Sequence, residues 1–184
     1  MATAESRGMG ERGRRSAAKQ RANDEAILGD LVRFTALSFA TATPVPFGAA
    51  LVETRTGRLL YRGRNAVMRE NDPSAHAETR AVRKACRKLG RPSLAGYTLY
   101  STCEPCPMCM ASALWAGVDR VVFGATIADA HEHCRQIHIA AREVAERSDM
   151  PCAVEAEVLR EECRALFNDP RMLKAFRNWG TRKR

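Results

Sequence analysis

The sequence has no apolar run of the roughly 20 residues that a membrane-spanning helix needs. Met1–Arg21 lacks the apolar stretch of a secretory signal, and its Glu5 and Glu11 argue against an organelle transit peptide. No internal repeat is present, which excludes a repeat architecture. A disulfide framework is missing too. The seven cysteines are an odd number, and three of them crowd into Cys103–Cys109, a poor pattern for bridges and a good one for a metal. A reducing, cytoplasmic compartment is therefore expected.

What is present fits one domain with an ordinary apolar fraction: 184 residues, long enough for a core without staples. The net charge of +9 sits mostly in the tails. Residues 1–21 carry six basic and two acidic side chains, and residues 171–184 carry six basic and no acidic ones, so the body between is nearly neutral. Residues 1–21 read as a disordered basic arm, 22–168 as the folded domain, and 169–184 as a basic C-terminal segment. Both tails read as solubilising ends, with RNA as the second choice of partner and no membrane.

Along the domain, Asn23 or Asp24 can cap a helix carrying Ile27, Leu31, Phe34 and Leu37 at helical spacing, stopped by Thr43–Pro46. Gly48–Glu53 and Arg58–Val67 read as a hairpin joined by Thr54–Gly57. Asp72-Pro73 opens a helix that ends at Gly90, Tyr97–Thr102 is a strand, and Cys106–Ala116 is a helix. Arg120–Gly124 reads as a buried strand, 129–147 as a helix, Ala153–Val158 as a strand, and the rest as helical. The order β-β-α-β-α-β-α-β-α implies an α/β fold with a mixed sheet between helix layers.

The chemistry concentrates in Ser74-Ala75-His76-Ala77-Glu78 and Cys103-Glu104-Pro105-Cys106-Pro107-Met108-Cys109. Cys106 and Cys109, three apart on a helix, project to one side, and Pro107 places them at the helix start, where the dipole favours thiolates. His76 and Glu78 would point to nearly opposite sides of a regular helix, so His76 is expected at an irregular helix start. One imidazole, two thiolates and a nearby carboxylate suit a catalytic zinc with a position left for water. Two rivals stay open on spacing alone. Cys103 with His76, Cys106 and Cys109 would make a closed structural Cys₃His zinc. The cysteine run also matches part of an iron–sulfur loop, although no fourth cysteine follows at the required spacing.

Pro46-Phe47-Gly48-Ala49, Asn65, Asn71–Glu78, Cys103–Cys109 and Arg120–Gly124 resemble the cytidine deaminase-like superfamily in its purine deaminase branch. Within it, Phe47, Arg83-Lys84-Ala85-Cys86, the cysteine loop and the ending Ala175–Trp179 are most similar to bacterial guanine deaminases, with bacterial tRNA adenosine deaminases the close rival. The resemblance implies a three-layer α-β-α fold with a mixed, mostly parallel five-stranded sheet. It implies zinc on His76, Cys106 and Cys109, Glu78 as the catalytic acid/base, and Cys103 as a bystander. Asn65, Phe47, Trp115 and the backbone at Ala77 are the substrate-binding candidates. Relatives are homodimers, and the similar Phe176–Trp179 ending raises the expectation that segment 169–184 crosses to a partner.

The resemblance thins after Gly124, where guanine deaminases carry Phe-Asp-Asp and this chain has Arg135-Gln136-Ile137. His131, His133 and His138 fall in that region as a polar pocket rim or an exposed helix. Arg80, Arg83, Lys84, Arg87 and Lys88 read as a solvated basic helix face. The expected activity is zinc-dependent deamination of a small purine-type base or nucleoside, guanine to xanthine being the best single choice. The alternatives are adenosine-to-inosine deamination in tRNA and a non-catalytic structural zinc protein.

Overall fold

Strand β1 (Gly48–Glu53) and strand β2 (Leu59–Arg64) form the expected hairpin, with Gly57 at φ 72° in its turn. The computed structural model describes residues 4–181. Helix α1 (Ala4–Ala36) and a 3₁₀ turn (Leu37–Ala40) precede the hairpin. After it come α2 (Val67–Glu70), α3 (Ala77–Leu89), β3 (Tyr97–Cys103), α4 (Pro107–Trp115) and β4 (Arg120–Ala125). The chain continues through α5 (Ile127–His131), α6 (Ala141–Glu146), β5 (Ala153–Glu155), α7 (Arg160–Asn168) and α8 (Pro170–Thr181).

The sheet order is β2-β1-β3-β4-β5. β1 is antiparallel to both its neighbours, while β3, β4 and β5 run parallel. Only β1 is reversed, so the sheet is mixed and mostly parallel, as expected. Alternation along the strands feeds two cores. Ala50, Val52, Tyr100 and Val122 pack with Leu28 and Leu31 of α1, Phe167 of α7 and Met172 of α8. Ala49, Leu51, Leu99, Val121 and Phe123 pack on the other face with Ala81 of α3, Met110 of α4 and Ala141 of α6. The result is the α-β-α sandwich. Because β1 is reversed, its amino end meets the carboxyl ends of β3 and β4 at one edge, where α3 and α4 begin.

The structure departs from the sequence expectations in three places. The stretch 1–21 was expected to be disordered, but α1 starts at Ala4, and Gly13 to Ala22 continue it with exposed side chains. Ala, Glu, Arg, Lys and Gln are strong helix formers, and no proline occurs before Pro44. Asp24 accordingly lies inside α1 instead of capping it. Its buried carboxylate accepts Tyr100 Oη at 2.6 Å and Arg120 Nη2 at 3.0 Å, tying α1 to β3 and β4.

The helix expected from Asp72 begins at Ala77 instead, because Asp72 is committed to a turn. Its carboxylate accepts the Ser74 N–H at 2.8 Å, and its carbonyl accepts the Ala75 N–H at 3.0 Å. The single helix expected over 129–147 is two, α5 and α6, separated by 132–140. Glu104 imposes this break: its carboxylate accepts the Ile127 N–H at 3.0 Å and the Ala141 N–H at 2.9 Å, one near the start of each helix. The described part of segment 169–184 packs on its own chain, Phe176 lying 6.3 Å from Phe167 in a parallel stack.

Candidate active site

His76 is the N-cap of α3, in extended backbone at φ −63°, ψ 154°. It stands outside the helical register, and its imidazole and the Glu78 carboxylate turn toward the same place. Cys106 is likewise the N-cap of α4, at φ −64°, ψ 166°, with Pro107 opening the helix. Two helix N-termini therefore face one point and favour negative charge on the sulfurs and the carboxylate.

His76 Nδ1 lies 3.7 Å from Cys106 Sγ and 3.5 Å from Cys109 Sγ. All three donor atoms lie within 4.8 Å of one another, and this is the one such group among the described residues. Zn–S and Zn–N bonds of about 2.3 and 2.0–2.1 Å at a tetrahedral angle put S and N about 3.6 Å apart. The donor set and its spacing therefore fit zinc. Cys103 stays out of the group. Its buried Sγ faces the Thr126 carbonyl at 3.7 Å, and burial pushes its thiol well above the usual range, with Glu78 adding to the effect. Three donors are one short of a closed structural set, and they stand beside a cavity.

The sulfurs are unequal. A hydrogen bond from Cys109 lowers the pKa of Cys106, against the effect of burial, and the His76 imidazole and the Cys109 backbone N–H add to the lowering. Cys106 is therefore the first of the pair to become a thiolate. The pKa of His76 is raised, first by its hydrogen bond with Cys106 and then, against burial, by the nearby Glu78. Glu78 is 5% exposed, and burial raises its pKa above the usual carboxylate range, although the neighbouring His76 pulls the other way. Its Oε1 accepts Ser101 Oγ at 3.1 Å, and its Oε2 lies 3.6 Å from Cys109 Sγ.

The cavity over this group has a volume of about 590 Å³, within the range of pockets that hold small organic ligands. His76, Glu78 and Cys106 form part of its wall. Phe47 and Asn65 also line it. Asn65 Oδ1 accepts the Val67 N–H at 2.9 Å, so its amide NH₂ is the group left to offer a ligand. Ala77 and Trp115 do not line the cavity. Ala77 is fully buried in the core beneath α3. Trp115 is 80% exposed at the far end of α4, about 12 Å along the axis from the Pro107 end. The expectation that its ring shapes the pocket is therefore corrected.

Reading the sequence missed the Ser101 contact with Glu78, the Thr79 Oγ1 contact with Cys109 Sγ at 3.4 Å, and the caps on Glu104. Hydroxyls on buried faces carry no periodic signal. The wall formed by Arg135, Gln136, Ala175 and Trp179 is also set by tertiary packing. Ile137 does not line the cavity and is 56% exposed. Of the loop histidines, His131 and His138 pair edge-to-face at 4.5 Å, and His133 stacks on Phe176 at 5.3 Å. None joins the donor group.

Residues 22–125, more than half of the chain, match the model of the cytidine and deoxycytidylate deaminase zinc-binding region. The guanine deaminase of Bacillus subtilis is 46% identical over 87 residues, covering 47% of this chain and 54% of that protein. A tRNA-specific adenosine deaminase of Agrobacterium fabrum is 41% identical over 96 residues, covering 52% of this chain and 62% of that one. The chain thus spans little more than half the length of these relatives. A solved guanine deaminase from Nitrosomonas europaea superposes with a TM-score of 0.71 at 25% identity, covering 84% of each chain.

Proposed function

The chain belongs to the cytidine and deoxycytidylate deaminase zinc-binding family, and from that premise we propose that it hydrolytically deaminates a purine-type base, guanine first among them. The reaction is guanine plus water to xanthine plus ammonia. The observation that carries this reading is the three-donor group of His76, Cys106 and Cys109, which opens on a cavity with the buried Glu78 carboxylate beside it. The 46% identity to a guanine deaminase supports the choice of base.

His76, Cys106 and Cys109 would hold the zinc, which would supply Lewis-acid activation of water near neutral pH. Glu78 takes the proton from the attacking water and delivers it to the ring nitrogen next to the amino-bearing carbon. It then takes the second proton from the hydroxyl added at that carbon and passes it to the amine, so that the C–N bond breaks as the carbonyl forms and ammonia leaves. A carboxyl raised by burial suits both acceptance and release near neutral pH. Asn65 directs its free amide NH₂ at an acceptor on the base, and Phe47 lies along the apolar wall.

The test is ammonia release from guanine, adenine, cytosine, their nucleosides and a tRNA anticodon stem-loop. Turnover of guanine above the others is expected, and a preparation that holds zinc but releases ammonia from none of them overturns the reading. One observation favours tRNA as a second reading: Arg64, Arg69 and Arg135 line the cavity. Activity on RNA would fall steeply with salt, whereas free-base turnover would not. A cytoplasmic homodimer completes the proposal. Met108 and Trp115, two turns apart on α4 and 38% and 80% exposed, offer an apolar face for a second copy.

A further inference from the structure

Thr79 sits in the first turn of α3, three residues after the N-cap His76, and its hydroxyl reaches the donor group. A threonine inside a helix commonly turns its hydroxyl back to the carbonyl four residues earlier. Thr79 does not. Its Oγ1 lies 3.4 Å from Cys109 Sγ, and no other hydrogen-bond partner of that hydroxyl is found among the described residues. Thr79 is 8% exposed and Cys109 fully buried, so water does not substitute for the contact.

The two sulfurs of the donor group are served differently. Cys106 is the N-cap of α4 and stands at the positive end of the helix dipole. Cys109 lies one turn deeper, with the Glu78 carboxylate 3.6 Å away and the imidazole 3.5 Å away. A metal-bound thiolate only accepts hydrogen bonds, so in that state the Thr79 hydroxyl must donate. It is a neutral donor facing the sulfur that lies 3.6 Å from the Glu78 carboxylate.

We propose that Thr79 is a positioning residue for the metal centre, donating a hydrogen bond from α3 to the Cys109 thiolate on α4 and so fixing that ligand's orientation and charge. The inference rests on the zinc reading above. It has a structural side as well: the bond joins the two helices that carry the donors, so loss of the hydroxyl frees Cys109 to rotate as well as leaving a buried thiolate without a donor.

The test compares Thr79→Val, which keeps the shape and removes the donor, with Thr79→Ser, which keeps the donor. Zinc affinity is measured on the full chain by competition with a chromophoric chelator. Thr79→Val should bind zinc about 10–100-fold more weakly, while Thr79→Ser stays near the parent. The sulfur-to-metal charge-transfer band of the cobalt-substituted protein should shift in Thr79→Val and hold in Thr79→Ser, which a purely packing role would not produce. Unfolding of the metal-free forms reports the fold. If valine disturbs it, Thr79→Ala against Thr79→Ser gives the same comparison.

Equal zinc affinity for the parent and Thr79→Val overturns the proposal, as does an equal loss in Thr79→Val and Thr79→Ser. In either case the zinc reading stands, because the parent still binds the metal. A parent chain that binds no zinc overturns the proposed function, and this inference with it.

Discussion

Ser101, on the central strand β3, donates its hydroxyl to Glu78 Oε1 across 3.1 Å, so the sheet itself holds the carboxylate that lines the cavity. Ser101 is 1% exposed. Ser101→Ala should therefore lower kcat with KM nearly unchanged. Loss of a hydrogen bond to a charged group, about 1.5–3 kcal/mol, corresponds to about 10- to 100-fold. Steady-state kinetics on the preferred base checks this, and Ser101→Thr should recover part of the rate.

Metal content should separate the cysteines. Cys106→Ser and Cys109→Ser should lose zinc, whereas Cys103→Ala should keep it, because Cys103 faces Thr126 and lies outside the donor group. Glu78→Ala should also keep zinc yet lose about 10²–10⁴-fold in rate. Elemental analysis beside an ammonia assay reads all four variants. A Cys103→Ala protein without zinc would revive the closed Cys₃His site.

Asp24 pins α1 to the sheet through Tyr100 and Arg120. Burial raises its pKa, but the hydrogen bonds from Arg120 and Tyr100 outweigh this and leave it below the usual carboxylate range. Asp24→Ala strands the Tyr100 hydroxyl and the half-buried Arg120 guanidinium. A loss of about 3–5 kcal/mol in unfolding free energy is expected, as for other broken buried ion pairs. Denaturant titration measures it, and a loss under about 1 kcal/mol would show the pin to be incidental.

Acid stability should depend on Asp129. The Arg160 guanidinium grips it at 2.9 and 3.0 Å, and the Thr126 N–H donates at 2.8 Å. Arg160 foremost holds its pKa at about 2 against burial, below an ordinary value of 3.8. A carboxyl depressed by folding stabilises the native state above its unfolded pKa, and the contribution fades as pH falls through the folded value. The window is therefore about pH 4 down to about pH 2. Melting curves should fall more steeply there for the parent than for Asp129→Asn, which has no such proton to take up. Parallel curves would remove Asp129 from the account.

Much of the site is local in sequence, and so is legible there. Pro107 can stand only in a first helical turn, which places Cys106 and Cys109 at the start of α4. The two-residue step from His76 to Glu78 demands a break in the helix, and the structure has it at His76. The strands were readable because Val121, Val122 and Phe123, or Ala49 to Val52, form short apolar runs between turn residues. Boundaries failed where a distant partner decided them. α6 begins where Glu104 reaches Ala141, and Asp24 lies mid-helix because Tyr100 and Arg120 are there to meet it.

The sequence by itself determined the donor types, their spacing within each motif, and the order of elements that implies a mixed sheet between helices. Periodicity, proline chemistry and ligand chemistry act over a few residues, and so can be read without a fold. Only the tertiary structure decided that Cys103 stands apart from the donors, that Trp115 faces outward, and that Ser101 and Thr79 turn their hydroxyls toward Glu78 and Cys109. Those outcomes depend on which faces of β3, α3 and α4 meet in the packed core. A hydroxyl or thiol acquires its role only from the neighbour that packing places within about 3–4 Å of it.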